Sequence, residues 1–197
     1  MIAIPAVAAA LIILVLLLWK LWFLRNPERV IPCGRHLLSP ADGRVLKIIP
    51  INECGPDPFV GDTRNTGIDF RGGWQITIFL SLFDVHFQRA PVDGKIEIIQ
   101  YFQGRFFPAF TQRASANEQN RILLNNPELG RIEVIQAAGY LARRIKCFVR
   151  EKESIKKGQV IGLITFGSRV SLLIPGVKLK ITEGQRVKAG QTVIAEY

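Results

Sequence analysis

The longest apolar run of the chain lies at its amino-terminal end. Residues 2–19 carry no charge and are mostly Ala, Val, Ile and Leu. As a helix with a rise of about 1.5 Å per residue, this run would extend about 27 Å, close to the hydrocarbon thickness of a bilayer. Trp22 and Phe23 follow it beside Lys20 and Arg25, as is typical of a membrane interface. The pattern predicts a transmembrane anchor over residues 1–24, with a buried core helix as the alternative.

The residue types around this run predict whether it is cleaved off and how it is oriented in the membrane. Small residues come first and bulky residues last, which is the reverse of a cleaved secretory signal peptide, so an uncleaved anchor is expected. Lys20, Arg25 and Arg29 follow the run, whereas only the amino terminus is charged before it. Because positive residues accumulate on the inner side of a membrane, we expect a cell-membrane protein with residues 25–197 on the cytoplasmic side.

After a connector at residues 25–38, the apolar pattern is that of short β-strands. Strand-like runs recur at residues 74–83, 95–101, 131–136, 160–166, 170–174, 178–181 and 192–197. Both faces of the first run are largely apolar, which predicts a central strand. In the second and third runs, Ile96 and Ile98, and then Ile132 and Val134, are expected to point inward. A short helical turn is predicted around residues 115–124.

Two sequence repeats run through the predicted domain, residues 39–197. Residues 39–45 (SPADGRV) are echoed by residues 90–96 (APVDGKI), each with a proline, an Asp-Gly turn and a strand. Residues 155–162 (IKKGQVIG) are echoed by residues 181–191 (ITEGQRVKAGQ), and these turns resemble the hairpins of biotinyl and lipoyl carrier domains. The expected fold is mainly β, a sandwich or barrel of short strands with carrier-domain-like hairpins, plus the N-terminal transmembrane helix.

The net charge and the cysteine content indicate which partners and metal sites to expect. The net charge of +10 suits a nucleic acid or an anionic lipid surface. No nucleic-acid-binding motif accompanies the basic residues, and the apolar run favours the membrane, so we expect a lipid partner and no nucleic acid. Cys33, Cys54 and Cys147 form no C-x-x-C pair, which argues against a zinc site or a disulfide framework. No metal cofactor is expected.

The pair Gly167-Ser168 offers a specific chemistry. It lies between two apolar runs, and Ser168 begins the last thirty residues. A serine hydroxyl can attack the carbonyl of the preceding residue and convert the amide to an ester. Elimination then leaves dehydroalanine, and hydrolysis gives a pyruvoyl group. Glycine suits the attack because it has no Cβ. An ordinary Gly-Ser turn is the alternative.

Two further residues are candidates for proton transfer. His86 follows the predicted central strand, and histidine titrates near neutrality. Asp42 precedes Gly43 in an Asp-Gly turn, and as an orienting partner of His86 it would complete a Ser168–His86–Asp42 arrangement like that of hydrolases. A structural histidine and simple turn chemistry are the alternatives, and no spacing proves that the three residues meet.

Five segments in order resemble the phosphatidylserine decarboxylase family, in its short membrane-associated form. They are residues 23–29 (FLRNPER), 39–43 (SPADG), 84–91 (DVHFQRAP), 138–145 (AGYLARRI) and 166–170 (FGSRV). The resemblance implies autocatalytic cleavage between Gly167 and Ser168. The products would be a β chain (1–167) and an α chain (168–197) that remain together as a heterodimer, with higher oligomers left open.

The resemblance also implies the cofactor and the roles of the site residues. A pyruvoyl group derived from Ser168 would form a Schiff base with the serine headgroup and promote its decarboxylation. Asp42 and His86 correspond to the family's aspartate and first histidine. Longer members carry a second histidine, and Arg89 stands in its place here, so either His86 serves both steps or another group replaces the second one.

The substrate implied is phosphatidylserine or its ether-linked analogue archaetidylserine, and the sequence does not separate them. Arg89, Arg143 and Arg144 are candidates for holding the lipid phosphate or the carboxylate, because guanidinium pairs well with either. Surface arginines on a strand are the alternative for the last two.

Two other functions stay open on the residues alone. A non-enzymatic membrane-anchored adaptor would use the anchor and the carrier-like hairpins, but no long heptad helix accompanies them. A serine hydrolase would use Ser168, His86 and Asp42 without cleavage, but it lacks a Gly-x-Ser-x-Gly elbow.

Overall fold

A computed structural model describes residues 3–51, 56–57, 61–62, 70, 72–140, 144–165 and 168–197. One helix, α1 (Ala3–Phe23), precedes a chain of short strands. The strands are β1 (His36–Leu38), β2 (Gly43–Ile51), β3 (Pro56–Asp57), β4 (Gly61–Asp62), β5 (Gly73–Leu80), β6 (Phe87–Arg89), β7 (Gly94–Phe102), β8 (Gln119–Asn126), β9 (Gly130–Ala137), β10 (Ile145–Cys147), β11 (Ser154–Ile155), β12 (Val160–Ile164), β13 (Ser168–Ile174), β14 (Arg186–Val187) and β15 (Val193–Glu196).

The predicted helix at the amino terminus is present, but its predicted role as a membrane span is not supported. In the part of the chain that the structure describes, no helix combines the length and the apolar character needed to cross a bilayer.

The main element is an eight-stranded antiparallel sheet that curls into a half-barrel. Its strand order is β11-β7-β8-β9-β13-β5-β2-β14, so β9 and β13 lie at the centre. Two smaller sheets, β1-β15 and β10-β12-β6, pack against its inner face. The main hydrophobic core fills the space between them. The predicted interior position of the strand at residues 74–83 is confirmed, since β5 lies between β13 and β2.

The sequence repeats correspond to an approximate two-fold symmetry of this sheet. When strands are counted inward from the two ends of the sheet, β7 is equivalent to β2, β8 to β5 and β9 to β13. The contacts of equivalent strands also match. Val45 donates its N–H to the carbonyl oxygen of Gln185 at 2.9 Å, and Ile96 donates to that of Glu153 at 2.9 Å. Gly190 donates its N–H to the carbonyl oxygen of Ser39 at 2.9 Å, and Gly158 donates to that of Ala90 at 2.9 Å, so each half combines one Asp-Gly strand with one of the glycine turns.

One acidic side chain binds a free backbone N–H at the edge of each outer long strand. The N–H of Ile48 on β2 donates to Glu183 Oε1 at 2.9 Å, and that of Ile99 on β7 donates to Glu151 Oε1 at 2.9 Å. An edge N–H that binds a carboxylate is less open to pairing with another chain.

Three expectations about elements are wrong. Residues 119–126 form strand β8 and only Gln112–Ala116 is a 3-10 turn, because pairing with β7 and β9 outweighs the local helix signal. Residues 178–181 contribute only a bridge between Leu179 and Ala195. Ile98 is 38% exposed because a bulge between Ile96 and Ile98 reverses the facing of the strand. Ile132 and Val134 are fully buried, as expected.

Candidate active site

Ser168 is the first residue of β13, one of the two central strands. Ser168 pairs with Leu80 of β5 and is 0% exposed. Its hydroxyl finds no hydrogen-bond partner among the residues that the structure describes. Gly167 and Phe166 lie outside the described residues. A buried hydroxyl without a partner is destabilising, so a native structure that retains one calls for an explanation.

His86 lies in the loop between β5 and β6, and Asp84 shapes this loop. The N–H and the hydroxyl of Ser81 donate to Asp84 Oδ2 at 2.8 and 2.7 Å. The Nδ1 atom of His86 lies 2.8 Å from the carbonyl oxygen of Asp84. Because that oxygen can only accept, Nδ1 carries the proton and Nε2 has a free lone pair. The buried Nε2 has no partner in the described part of the chain.

Burial sets the charge state of His86. Loss of hydration lowers the pKa of His86 from 6.5 to about 4, Asp84 opposes this shift, and Arg25 adds to it. The imidazole is therefore neutral at pH 7. A neutral ring with a free Nε2 lone pair can accept a proton, which is what a general base requires.

The fold brings His86 and Ser168 to the same end of the core. The N–H of Ile164, the last residue of β12, donates to the carbonyl oxygen of His86 at 3.2 Å. Only residues 165–167 separate Ile164 from Ser168, the start of β13. The loop that carries His86 thus contacts the end of β12, and three residues separate that end from Ser168 along the chain.

Asp42 lies at the same end of the sheet but does not bind His86. Arg44 and Arg169 both pair with Phe79, so the turn containing Asp42 is two strands from Ser168, about 10 Å away at ordinary strand spacing. No hydrogen bond joins Asp42 to His86 within the described ranges. The carbonyl oxygen of Asp84 orients His86 instead, which corrects the expected contact.

The Asp42 carboxylate has two other partners. Arg29 Nη2 lies 2.9 and 3.1 Å from its two oxygens, and the side chains are only 7% and 12% exposed. The N–H of Ala189 donates to Oδ1 at 2.8 Å. Arg29 also donates to Gln191 Oε1 at 2.9 Å. The buried ion pair joins the connector, the Asp42 turn and the segment after Ser168.

The three arginines that the sequence suggests as substrate ligands differ in their surroundings. Arg89 donates to the carbonyl oxygen of Gly158 at 2.8 Å, to Asn26 Oδ1 at 2.7 Å and to the carbonyl oxygen of Pro27 at 3.2 Å, so it fastens the connector. Burial lowers the pKa of Arg89, as does the nearby charge of Arg29, and Asp42 counteracts them. Arg144 is exposed. Arg143 lies outside the described residues. Their predicted role toward the substrate stays a prediction.

Behind His86 lies a chain of buried amides that the sequence pattern does not predict. Gln88 Nε2 donates to the carbonyl oxygen of His86 at 2.7 Å, Gln136 Nε2 donates to Gln88 Oε1 at 2.8 Å, and Asn120 Nδ2 donates to Gln136 Oε1 at 2.8 Å. All three amides are at most 3% exposed. They come from β6, β9 and β8, and an amide in a strand carries no local signal that it will be buried. Arg29 belongs to the family-like segment at residues 23–29, but the sequence does not indicate that it binds Asp42.

The described part of the chain contains no cluster of three His, Cys, Asp or Glu residues suited to a metal ion. Cys33 and Cys147 are free thiols. The expected absence of a metal cofactor stays a prediction.

Comparison with known proteins identifies the family. The family model described as phosphatidylserine decarboxylase matches residues 16–195. A phosphatidylserine decarboxylase proenzyme of Carboxydothermus hydrogenoformans is 41% identical over 192 residues, covering 93% of this chain and 82% of the relative. One from Chlorobium limicola is 40% identical over 197 residues, covering 98% and 86%, respectively. One from Nitrobacter winogradskyi is 39% identical over 190 residues, covering 92% and 71%. The chain therefore belongs to the phosphatidylserine decarboxylase family and is a decarboxylase of that family.

Proposed function

We propose that this chain cuts itself between Gly167 and Ser168 and then decarboxylates phosphatidylserine, giving the ethanolamine phospholipid and carbon dioxide. The observation that carries the proposal is the buried, unpartnered hydroxyl of Ser168 directly after a glycine. Its relatives carry the name proenzyme, which accords with a chain that must be processed. Family membership also disfavours a non-enzymatic adaptor.

The cleavage uses only groups of the chain. The Ser168 oxygen attacks the carbonyl carbon of Gly167, the C–N bond breaks, and the nitrogen takes a proton, which gives an ester. Loss of the Cα proton of residue 168 then breaks the ester C–O bond and leaves Gly167 as a carboxylate. Hydrolysis of the resulting dehydroalanine releases ammonia. The neutral His86, with its free Nε2, is the base that we assign to the hydroxyl proton.

The pyruvoyl group formed at residue 168 supplies a carbonyl that withdraws the electrons released when carbon dioxide departs. Position 168 fits such a group because it is fully buried at the end of a central strand, where charge interactions are stronger than in water. His86 is the candidate to return a proton to the carbon that loses carbon dioxide. Arg89, Arg143 and Arg144 are the candidates to hold the substrate phosphate or carboxylate.

We also propose that α1 holds the chain at the membrane, with the strands on the cytoplasmic side. Leu11 to Leu18 are each at least half exposed, and an apolar surface of this kind favours contact with lipid. Lys20 and Arg25 follow the apolar run, and basic residues are attracted to the anionic lipids of the cytoplasmic leaflet. A diacyl lipid stays in the bilayer, so its enzyme must work there. Extraction of membranes at alkaline pH and protease digestion of intact cells test this proposal: release from the membrane, or cleavage from outside, contradicts it.

The cleavage is tested on the full-length protein purified in detergent. A denaturing gel should show two fragments, and mass spectrometry should show a keto group in place of the amine at residue 168. Ser168→Ala should give one intact band and no release of carbon dioxide. An active wild-type protein that stays intact overturns the proposal. Labelling of that intact protein by a fluorophosphonate would instead favour a serine hydrolase.

The substrate is tested by measuring release of carbon dioxide from phosphatidylserine and from archaetidylserine under identical conditions. We expect release from phosphatidylserine. Activity on the ether-linked lipid alone would replace the assigned substrate and leave the cleavage chemistry intact.

A further inference from the structure

The end of α1 packs directly on the loop that carries His86. Phe23 is 2% exposed, whereas every preceding residue of α1 whose side chain is described is exposed. The centroid of the Phe23 ring lies 4.1 Å from that of the His86 ring, with an angle of 38° between the planes. The one buried side chain in this part of α1 is therefore in contact with the candidate base.

Arg25 fastens the same junction. Its Nη1 donates to the carbonyl oxygen of Trp22 at 3.0 Å, and its Nη2 donates to the carbonyl oxygen of Phe83 at 2.6 Å. The Trp22 and Phe83 rings are in edge contact at 5.9 Å. The guanidinium also lies 4.0 Å from the Trp22 ring. One side chain thus joins the last turn of α1 to the loop between β5 and β6.

The surroundings of His86 explain why Phe23 matters. Asp84 faces the ring from its own loop and Arg25 faces it from the α1 side, and their charges have opposite effects on it. Arg186 approaches Asp84 at 3.8 Å from β14. The side of the imidazole toward α1 is covered by an apolar ring. Removing that cover would admit water to the imidazole and would leave the bond to the Asp84 carbonyl oxygen to orient it.

We propose that Phe23 is a positioning residue of the active site: it covers the imidazole of His86 and holds it dry and oriented for proton transfer. The end of α1 then serves the reaction itself, in addition to attachment to the membrane. This inference rests on the proposed self-cleavage and on the role of His86 in it.

The test follows self-cleavage of the full-length chain during cell-free synthesis in detergent, from about pH 5 to pH 8.5. Detergent removes the need for membrane attachment. In the Phe23→Ala variant, water returns to His86, and the pKa of its imidazole moves back toward 6.5. We expect cleavage close to the wild-type rate at pH 8 and roughly tenfold slower cleavage near pH 5.5, where the wild type is still fully active.

Two variants make the result specific. Leu21→Ala removes a similar apolar side chain from the same turn of α1, but Leu21 is 71% exposed. It should keep the wild-type pH profile. Phe23→Leu retains an apolar cover and should restore most of the cleavage near pH 5.5. If Phe23→Ala does not fold, Arg25→Gln, which releases the same junction, should show the same direction of change.

The possible outcomes distinguish a failure of the inference about Phe23 from a failure of the proposed function. A Phe23→Ala profile identical to the wild type, or an equal change in Leu21→Ala, overturns the inference about Phe23. Wild-type protein that never cleaves overturns the proposed function instead.

Discussion

At the scale of single residues, Asp42 and Asp93 show how one local motif takes two roles. Both precede a glycine at the start of a strand, and both accept a backbone N–H through Oδ1, from Ala189 at 2.8 Å and from Lys157 at 3.1 Å. Asp42 alone also has a buried arginine partner, Arg29. Asp93 is exposed, and no ion pair to it occurs in the described part of the chain. The turn chemistry is shared, and the ion pair is what distinguishes Asp42.

This duplication gives a matched comparison. Asp42→Asn retains the acceptor for the backbone N–H but leaves the buried Arg29 charge unpaired, and it should lower the free energy of unfolding by about 3 kcal/mol. Self-cleavage should also slow by roughly tenfold or more, if Asp42 has the role that the resemblance implies. Asp93→Asn should cost less than about 1 kcal/mol and leave cleavage unchanged. Urea unfolding measures the loss of stability, and a denaturing gel measures the rate of cleavage. Equal effects of Asp42→Asn and Asp93→Asn would refute a special role for Asp42.

The burial of His86 makes stability depend on pH. The pKa of His86 is about 4 when folded and about 6.5 when unfolded, so the unfolded chain binds the proton more readily between these values. The contribution is fully present above pH 6.5 and is lost as the pH falls toward 4, by about 3 kcal/mol in all. His86→Gln should remove this part of the dependence. Urea unfolding of the wild type and of His86→Gln at a series of pH values measures this dependence. If the free energy of unfolding varies with pH in the same way in both proteins, His86 is not buried in its neutral form.

At the scale of elements, β2 approaches β5 so closely that the first residue of β2 must be glycine. Gly43 has φ +147°, and a Cβ there would lie 2.1 Å from the carbonyl oxygen of Phe79. The conformation and the contact both exclude a side chain. This packing keeps the Asp42 turn against the strand that borders Ser168.

We therefore expect Gly43→Ala to destabilise the protein by on the order of 2–4 kcal/mol. Gly184 has φ +82° but nothing within 4 Å of an added Cβ, so Gly184→Ala should cost only about 1 kcal/mol, for the backbone conformation alone. Urea unfolding of both variants, made on the Ser168→Ala background so that cleavage does not interfere, gives the comparison. Similar losses would show that the contact with Phe79 is relieved by movement.

At the scale of the whole molecule, the proposed cut would not divide the fold. The segment after the cut supplies β13 at the centre of the large sheet, with seven residues paired to β5 and five to β9. It also supplies β14, which pairs with β2, and β15, which pairs with β1. Its apolar side chains belong to the main core, including Val170, Leu172 and Ile194.

The two fragments should therefore stay together after cleavage. Gel filtration in detergent should give one peak containing both, with the same elution volume as the intact Ser168→Ala protein. The fragments should separate only in denaturant, because separation would expose the core and both neighbours of β13. Loss of residues 168–197 from the native protein would contradict this picture.

What the sequence determined by itself was local or carried by motifs in order. The mainly β character, the interior position of β5, the turns of the two repeats and the family all follow from residue types and spacings along the chain. These signals are short in range, because alternation and turn chemistry depend on a few neighbouring residues.

Only the tertiary structure decided which groups meet. It oriented His86 through the Asp84 carbonyl, paired Asp42 with Arg29, placed Arg89 against the connector and covered His86 with Phe23. It also replaced a predicted helical turn by β8 and turned Ile98 outward. These outcomes depend on strand pairing and burial between residues far apart in sequence, and such contacts leave no pattern in any one segment.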